Sequence, residues 1–240
     1  MNTRFYNVRI LTKGPEFEIL EGEVWIEGNR ITCVGKPKEE KVKFDREIDG
    51  KGNLLMPGFK NAHTHSAMTF LRSYADDLPL LDWLNKQVFP MEAKLTPDDI
   101  YELSKLAILE YLTSGITANF DMYLTPDTIA QASVDMGFRT VMVGGVNNFS
   151  QSLQELEKWY EHYNHFHELI RFELGLHAEY TASEQLMTEL AELANAYHAP
   201  VYTHMSETAE ETKGCVERYG KTPTAYLDSL GMLNYGGGGY

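Results

Sequence analysis

Cysteine is scarce in this sequence: Cys33 and Cys215 lie far apart with no paired spacing. That argues against a disulfide framework and against a cysteine-based zinc site. Long apolar runs are missing too. None approaches the roughly 20 residues a membrane helix needs, and the polar start "MNTRFYNVR" has no signal-peptide core. Basic residues are in deficit, with 21 Lys and Arg against 35 Asp and Glu and a net charge of -14. A nucleic-acid or anionic-membrane surface calls for the opposite sign. The triplet Asn148-Phe149-Ser150 matches a glycosylation sequon, which carries no meaning without secretion. Low-complexity linkers and sequence-level repeats are lacking as well. The expectation is a soluble, cytoplasmic, globular protein with ordinary apolar and charged fractions.

What is present begins with short β segments. "RFYNVRILT", "EGEVWIEG" and "RITCVG" are rich in β-branched and aromatic residues, and "EGNRI" reads as a hairpin turn between the last two. Lysine-rich "KPKEEKVK" reads as a solvated loop or edge. From Asn53 the rhythm changes. "NLLMPGFKNAHTH" reads as a strand, followed by an acidic loop and a helix that starts at Thr96-Pro97-Asp98-Asp99 and ends at Gly115. Strands then alternate with helices. "ITANFDMY", "FRTVMVGGV", "IRFELGLHAEY" and "APVYTHMSE" are the strands, and "NYGGGGY" reads as the approach to another. Such alternation predicts a parallel β/α architecture. A doubly wound nucleotide sheet would show a glycine-rich turn after its first strand, and none is here. A β/α barrel instead sets its polar residues at the C-terminal strand ends, where His63, His65, His177 and His204 fall.

Side chains along a strand alternate faces, so His63 and His65 project the same way and can reach one ion. Neutral imidazole suits zinc or another borderline divalent metal. An isolated His-x-His carries little weight, and "YEHYNHFH" (160–167) contains another. That one reads as a solvated helix end, where histidine complements the dipole, and His198 reads as helix-terminal in the same way. His204 in "VYTHMSETAEE" is the third candidate ligand, and a barrel brings the ends of its first and fifth strands across one opening. Glu207 follows three residues later. By itself it reads as an acidic residue favouring the first turn of its helix. Beside three strand-end histidines it reads as a general acid/base placed next to a metal.

Together "PGFKNAHTHSAMTFLRSYADDLPLLDWL", "VFPMEAKLTPDDIY", "LGLHAEYTAS" and "PVYTHMSETAEE" resemble the metal-dependent amidohydrolase superfamily. Within it the chain looks most like the methylthioadenosine/S-adenosylhomocysteine deaminases and their triazine-hydrolase relatives. The resemblance implies an α/β fold: a TIM-type (β/α) barrel of the metal-dependent hydrolase kind, carried through about five βα units. On that resemblance residues 1–55 are expected to form a small β unit, part of a composite β-sandwich, and residues 56–240 the N-terminal portion of the barrel. It implies one divalent metal ion, zinc with iron as the alternative, held by His63, His65 and His204. Glu207 matches the proton shuttle, Glu92 the carboxylate that holds ribose hydroxyls, and His177 a substrate-contacting histidine. Without the resemblance Glu92 reads as a surface residue before a helix; Trp83 in "LLDWL" could wall the pocket, although an aromatic in such a run is more often core.

The implied reaction is removal of an amino group, as ammonia, from an adenosine-like nucleoside by metal-activated water. Relatives acting on another heterocycle (guanine, a pterin, a chlorotriazine) are the same-class alternative, and a non-catalytic binding protein on the same fold is the other. Nucleoside-specific members tend to carry an arginine in the segment that here reads "VMVGGVNNF", with Gly144 in its place. The family also continues beyond the point reached by Tyr240, with a histidine on strand six and an aspartate on strand eight. The expectation is therefore that residues 1–240 alone lack turnover, and that the complete protein is a homo-oligomer.

Overall fold

The structure is a computed structural model that describes residues 1–12, 14, 16–37 and 42–239. The chain divides into two compact units, Met1–Gly58 and Phe59–Tyr240.

The first unit is a mixed five-stranded sheet. Strands β1 (Asn2–Leu11), β2 (Ile19–Glu27), β3 (Arg30–Gly35) and β4 (Arg46–Asp49) are ordered β3-β2-β1-β4, and β5 (Leu54–Leu55) also pairs with β1. The β2–β3 pair is the hairpin expected from "EGNRI", its turn made possible by Gly28 at φ 61. Val8, Ile10 and Val24 form its small core. Arg4 on β1 ties the neighbouring strands together through Glu23 on β2 and Glu47 on β4. Of the lysine-rich "KPKEEKVK", Lys38–Lys41 lie outside the described residues.

One expected strand proves to be two. "NLLMPGFKNAHTH" breaks at Pro57-Gly58: β5 pairs with β1, whereas β6 (Phe59–Thr64) pairs with β7 (Ile116–Met122). Pro57 has no amide to donate to a ladder, so one strand cannot run through it in a continuous pairing.

The second unit is a parallel sheet of six strands ordered β11-β10-β9-β8-β7-β6, with β8 Arg139–Val143, β9 Ile170–Ala178, β10 Val201–His204 and β11 Gly237–Gly239. Helices follow the strands: α3 (Pro97–Thr113), α4 (Pro126–Asp135), α5 (Leu153–Tyr163), α6 (Glu184–Tyr197), α7 (Ala209–Tyr219) and α8 (Pro223–Ser229). Their starts are encoded locally. Thr96 with Asp99, and Ser152 with Glu155, close reciprocal capping boxes, and Pro97 occupies the first helical position of α3. The strand–helix interface holds the main core, including Phe172, Leu174, Leu176, Met187 and Leu190. The sheet curls. Strands β6 and β10 are four positions apart, which in a flat sheet would separate them by roughly 19 Å. Their terminal histidines nevertheless meet within hydrogen-bonding distance. The result is a partial TIM-barrel-like layer with its strand ends gathered around one opening.

A second departure concerns the acidic loop after β6. Residues 80–92 are helical: α1 (Leu80–Trp83), a π turn (Leu84–Val88) and α2 (Phe89–Glu92). Local signals for this run are weak, because it starts after Pro79 without a side-chain cap. Pro90 explains the π turn. It cannot donate to the carbonyl of Lys86, and its ring crowds that carbonyl, so the ladder widens and Phe89 N–H donates to Leu84 O.

Candidate metal centre

The ends of β6 and β10 supply three imidazoles. His63 and His65 flank Thr64, so strand alternation turns both rings to one side while Thr64 faces the buried opposite side. Both ligand-bearing strands lose regular register at the histidines, between Asn61 and Thr64 in the β6–β7 pair and between Thr203 and His204 in the β9–β10 pair. Such bulges re-aim side chains at sheet ends. One ligand nitrogen from each of His63, His65 and His204 lies within 4.8 Å of the others.

Hydrogen bonds fix the tautomers. His65 Nδ1 lies 2.7 Å from Met122 O and His204 Nδ1 lies 2.9 Å from His177 O. A carbonyl only accepts, so each Nδ1 carries its ring's proton and each Nε2 presents a lone pair. Yet His65 Nε2 is 3.3 Å from His204 Nε2 and 3.2 Å from His63 Nε2. Between His65 and His204 no proton remains to bridge the gap. Two lone pairs facing each other at that distance repel unless a cation lies between them. Two nitrogens bound tetrahedrally to one zinc-like ion are about 3.3 Å apart. The donor set therefore fits a single divalent ion, and the backbone carbonyls are the partners that metal-binding histidines need on their other nitrogen. Protonation does not compete strongly. Burial holds His65 down to about 4, and lowers His63 and His204 as well, with neighbouring imidazoles adding to it for His63 and His65.

The metal-ligating group opens into a cavity of about 280 Å³. That is near the lower end of the range for small-molecule sites, and suits one compact heterocyclic ligand. His177, Glu92, Glu207 and Trp83 all line it. His177, near the end of β9, packs its ring 5.2 Å from that of His204 and is held down to about 4, chiefly by burial. Glu92 is half-buried in the cavity wall rather than on the surface, and burial raises its carboxyl. The Tyr123 phenol offsets part of that rise, although its buried oxygen closes no hydrogen bond of normal geometry. The π turn makes this wall. An ordinary helix repeats its face every three or four residues, and the one-residue widening brings Trp83, Leu84, Val88, Phe89 and Glu92 into it together. Trp83 is thus a cavity wall and not core.

Glu207 stands between β10 and α7, and burial, then the charge of Glu211, raises its carboxyl. Glu211 is a functional neighbour that the sequence did not disclose. Buried to 4 % exposure, it accepts the amides of Ser206 and Glu207 at 3.0 and 2.7 Å and so sets the backbone that carries Glu207. The available signal was Thr208-x-x-Glu211, a capping-box spacing. The structure also corrects the position of Gly144. A Cβ there would lie 1.9 Å from Leu156 Cδ1 on α5, whereas Gly145 lines the cavity. The position facing a ligand is Gly145. Histidines 162, 165, 167 and 198 stand apart from the metal-ligating group. His162 lies in the last turn of α5, and His198 caps α6 in the left-handed conformation.

Residues 54–235 match the amidohydrolase family. The chain is 36% identical to the 5-methylthioadenosine/S-adenosylhomocysteine deaminase of Thermoanaerobacter pseudethanolicus, over 98% of this chain and 56% of that protein. It is 37% identical to the 5'-deoxyadenosine deaminase of Methanocaldococcus jannaschii, over 88% of this chain and 52% of that one. It thus spans about half the length of the relatives it matches. Among solved structures, an adenosine deaminase from Xanthomonas campestris with bound zinc superposes with a TM-score of 0.85 at 30% identity, covering 97% of this chain and 55% of that one. A triazine hydrolase from Arthrobacter aurescens superposes with a TM-score of 0.86 at 22% identity, covering 97% and 58%, and shares the fold.

Proposed function

The chain belongs to the amidohydrolase family, and from that premise we propose that the protein releases ammonia from an adenosine-like nucleoside, with zinc in the three-histidine centre. The observation that carries this reading is the convergence of three neutral imidazoles beside Glu207 in one small cavity. The relatives named above as deaminases of adenosine derivatives support the substrate class. A divalent ion in this centre supplies Lewis acidity and lowers the pKa of water. Glu207, its carboxyl raised by burial, would take a proton from the attacking water and pass it to the leaving amino group. Trp83, Leu84 and Phe89 give the ring an apolar wall and keep bulk water out. Glu92 accepts hydrogen bonds from the ribose hydroxyls, a task for which a carboxylate with two acceptor oxygens is suited.

Among the described residues the cavity lining includes Glu92 and Glu207 but neither lysine nor arginine. The zwitterionic tail of S-adenosylhomocysteine would therefore find carboxylates for its ammonium but no counter-charge for its carboxylate. This favours adenosine, 5'-deoxyadenosine or methylthioadenosine, which bring no carboxylate into the cavity. The test, made on a chain carried to the full length of its relatives, is ammonia release across those four nucleosides and across guanine, before and after metal removal by a chelator and after zinc is restored. Zinc-restorable release from the neutral nucleosides is expected. Release confined to guanine, or indifferent to metal removal, would overturn the proposal.

A further inference from the structure

We infer that Asp121 on β7 is a positioning residue for the metal centre, acting through Thr64 and Ser66, the two residues that bracket His65; this rests on the metal-centre reading above. At His65 the chain leaves β6 and enters a 3-10 turn (Ser66–Leu71), so the Ser66 amide has no ladder partner there. Asp121 Oδ1 provides one at 2.8 Å and lies 2.9 Å from Thr64 Oγ1, whose single proton it shares with the Phe120 carbonyl at 2.7 Å. Asn119, two residues earlier on the same face of β7, donates from Nδ2 to Thr64 Oγ1 at 3.0 Å and to Ser66 Oγ at 3.2 Å. Ser66 Oγ meets the Tyr111 hydroxyl at 3.0 Å. Met122, next after Asp121, offers the carbonyl that fixes the His65 tautomer. One strand end thus grips the ligand turn on both flanks and orients the ring between them.

Ending a strand does not require this arrangement. Thr64, Ser66, Asn119 and Asp121 are all buried, and Asp121 forms no ion pair among the described residues. Among the described residues its Oδ2 has no hydrogen-bond partner. Burying a carboxylate without a cation is costly, and a neutral side chain could end the strand at less cost. What the carboxylate adds is a charge-assisted hydrogen bond from the Ser66 amide and a share of the Thr64 hydroxyl, at the turn that must hold His65 still. Groups that orient metal-bound histidines typically change metal affinity by roughly 10–100-fold when lost.

The test measures Zn²⁺ affinity by competition with a chromophoric chelator, and the visible absorption of the Co²⁺-loaded protein. Both are compared across wild type, Asp121→Ala, Asp121→Asn and Ser133→Ala. Ser133 is the control, because its hydroxyl is paired 2.8 Å from Thr140 Oγ1 in a buried bond away from the centre. Asp121→Ala should bind Zn²⁺ about 10–100-fold more weakly, with an altered Co²⁺ spectrum. Asp121→Asn keeps a neutral acceptor and should recover only part of that loss, and Ser133→Ala should match wild type. Should Asp121→Ala not fold, Thr64→Val removes the linking hydroxyl at constant shape and is expected to weaken Zn²⁺ in the same direction. Wild-type affinity in Asp121→Ala or Thr64→Val, or an equal loss in Ser133→Ala, overturns the inference. Failure of wild type itself to bind one Zn²⁺ would instead count against the metal-centre reading.

Discussion

His65 Nε2 and His204 Nε2 face each other at 3.3 Å, although the strands that carry them are separated by β7, β8 and β9. Each ring spends its only proton on a backbone carbonyl, so the approach is not a hydrogen bond. It is a coordination edge that the curl of the sheet creates. Everything proposed for the cavity depends on that edge, because it places Lewis acidity beside Glu207.

In a chain carried to the full length of its relatives, Glu207→Gln should leave metal content at one ion per chain while slowing ammonia release by roughly 10²–10⁴, the usual worth of a general acid/base. The amide keeps the shape and cannot carry the proton. Metal analysis together with turnover separates the two effects. Unchanged turnover would place the acid/base elsewhere.

Glu92→Ala should weaken ribosides far more than free bases, since only ribosides offer the diol that its half-buried carboxylate would hold. The comparison is kcat/KM for adenosine against adenine. Equal losses would mean that Glu92 only shapes the wall, and would favour a free-ring substrate.

Much of this centre was legible in the sequence because strand alternation and strand-end placement are local rules. Two imidazoles at i and i+2 must share a face, and a barrel puts His204 across the opening from them. Less legible were features decided by partners distant in sequence. The apolar stretch around Pro57 reads as one strand, and only its pairing with β1 on one side and β7 on the other divides it. The helical wall at 80–92 has no side-chain cap, and its π turn follows from what Pro90 cannot donate. Gly144 and Gly145 differ by one residue, which is enough to exchange the helix-facing side of a strand for the cavity-facing one. Glu211 shows only a capping spacing, while its role comes from burial against the Ser206 and Glu207 amides.

That register can be tested through three glycines. Gly175→Ala puts a Cβ 1.8 Å from the Gly144 carbonyl oxygen, a backbone atom that cannot step aside, and should be the most destabilising of the three. Gly144→Ala strikes the Leu156 side chain and should cost about 1–3 kcal/mol without altering the cavity. Gly145→Ala meets Met122 Sδ at 3.3 Å, which can shift. It should keep its stability and instead change KM by narrowing the cavity. Denaturant melts and steady-state kinetics on the three variants check this order. A Gly144→Ala protein that melts like wild type but binds substrate differently would reverse the assigned faces.

Glu173 supplies a test by pH. It lies on β9, four residues before His177, and burial raises its carboxyl from 4.5 to about 7. The folded chain therefore holds this proton over a pH range in which the unfolded chain has lost it. The stability linked to that proton is fully present below about pH 4.5 and is lost as pH rises through about 7. Glu173→Gln has no proton to lose. Its stability relative to wild type should rise with pH and level off above about 7, by roughly 1–2 kcal/mol once solvent screening of a half-buried group is allowed for. The measurement is the difference in chemical-denaturation free energy between the two proteins from pH 5 to pH 8.5. A constant difference across that range would mean the carboxylate is compensated in the folded protein, and a difference that shrinks toward alkaline pH would reverse the sign of the linkage.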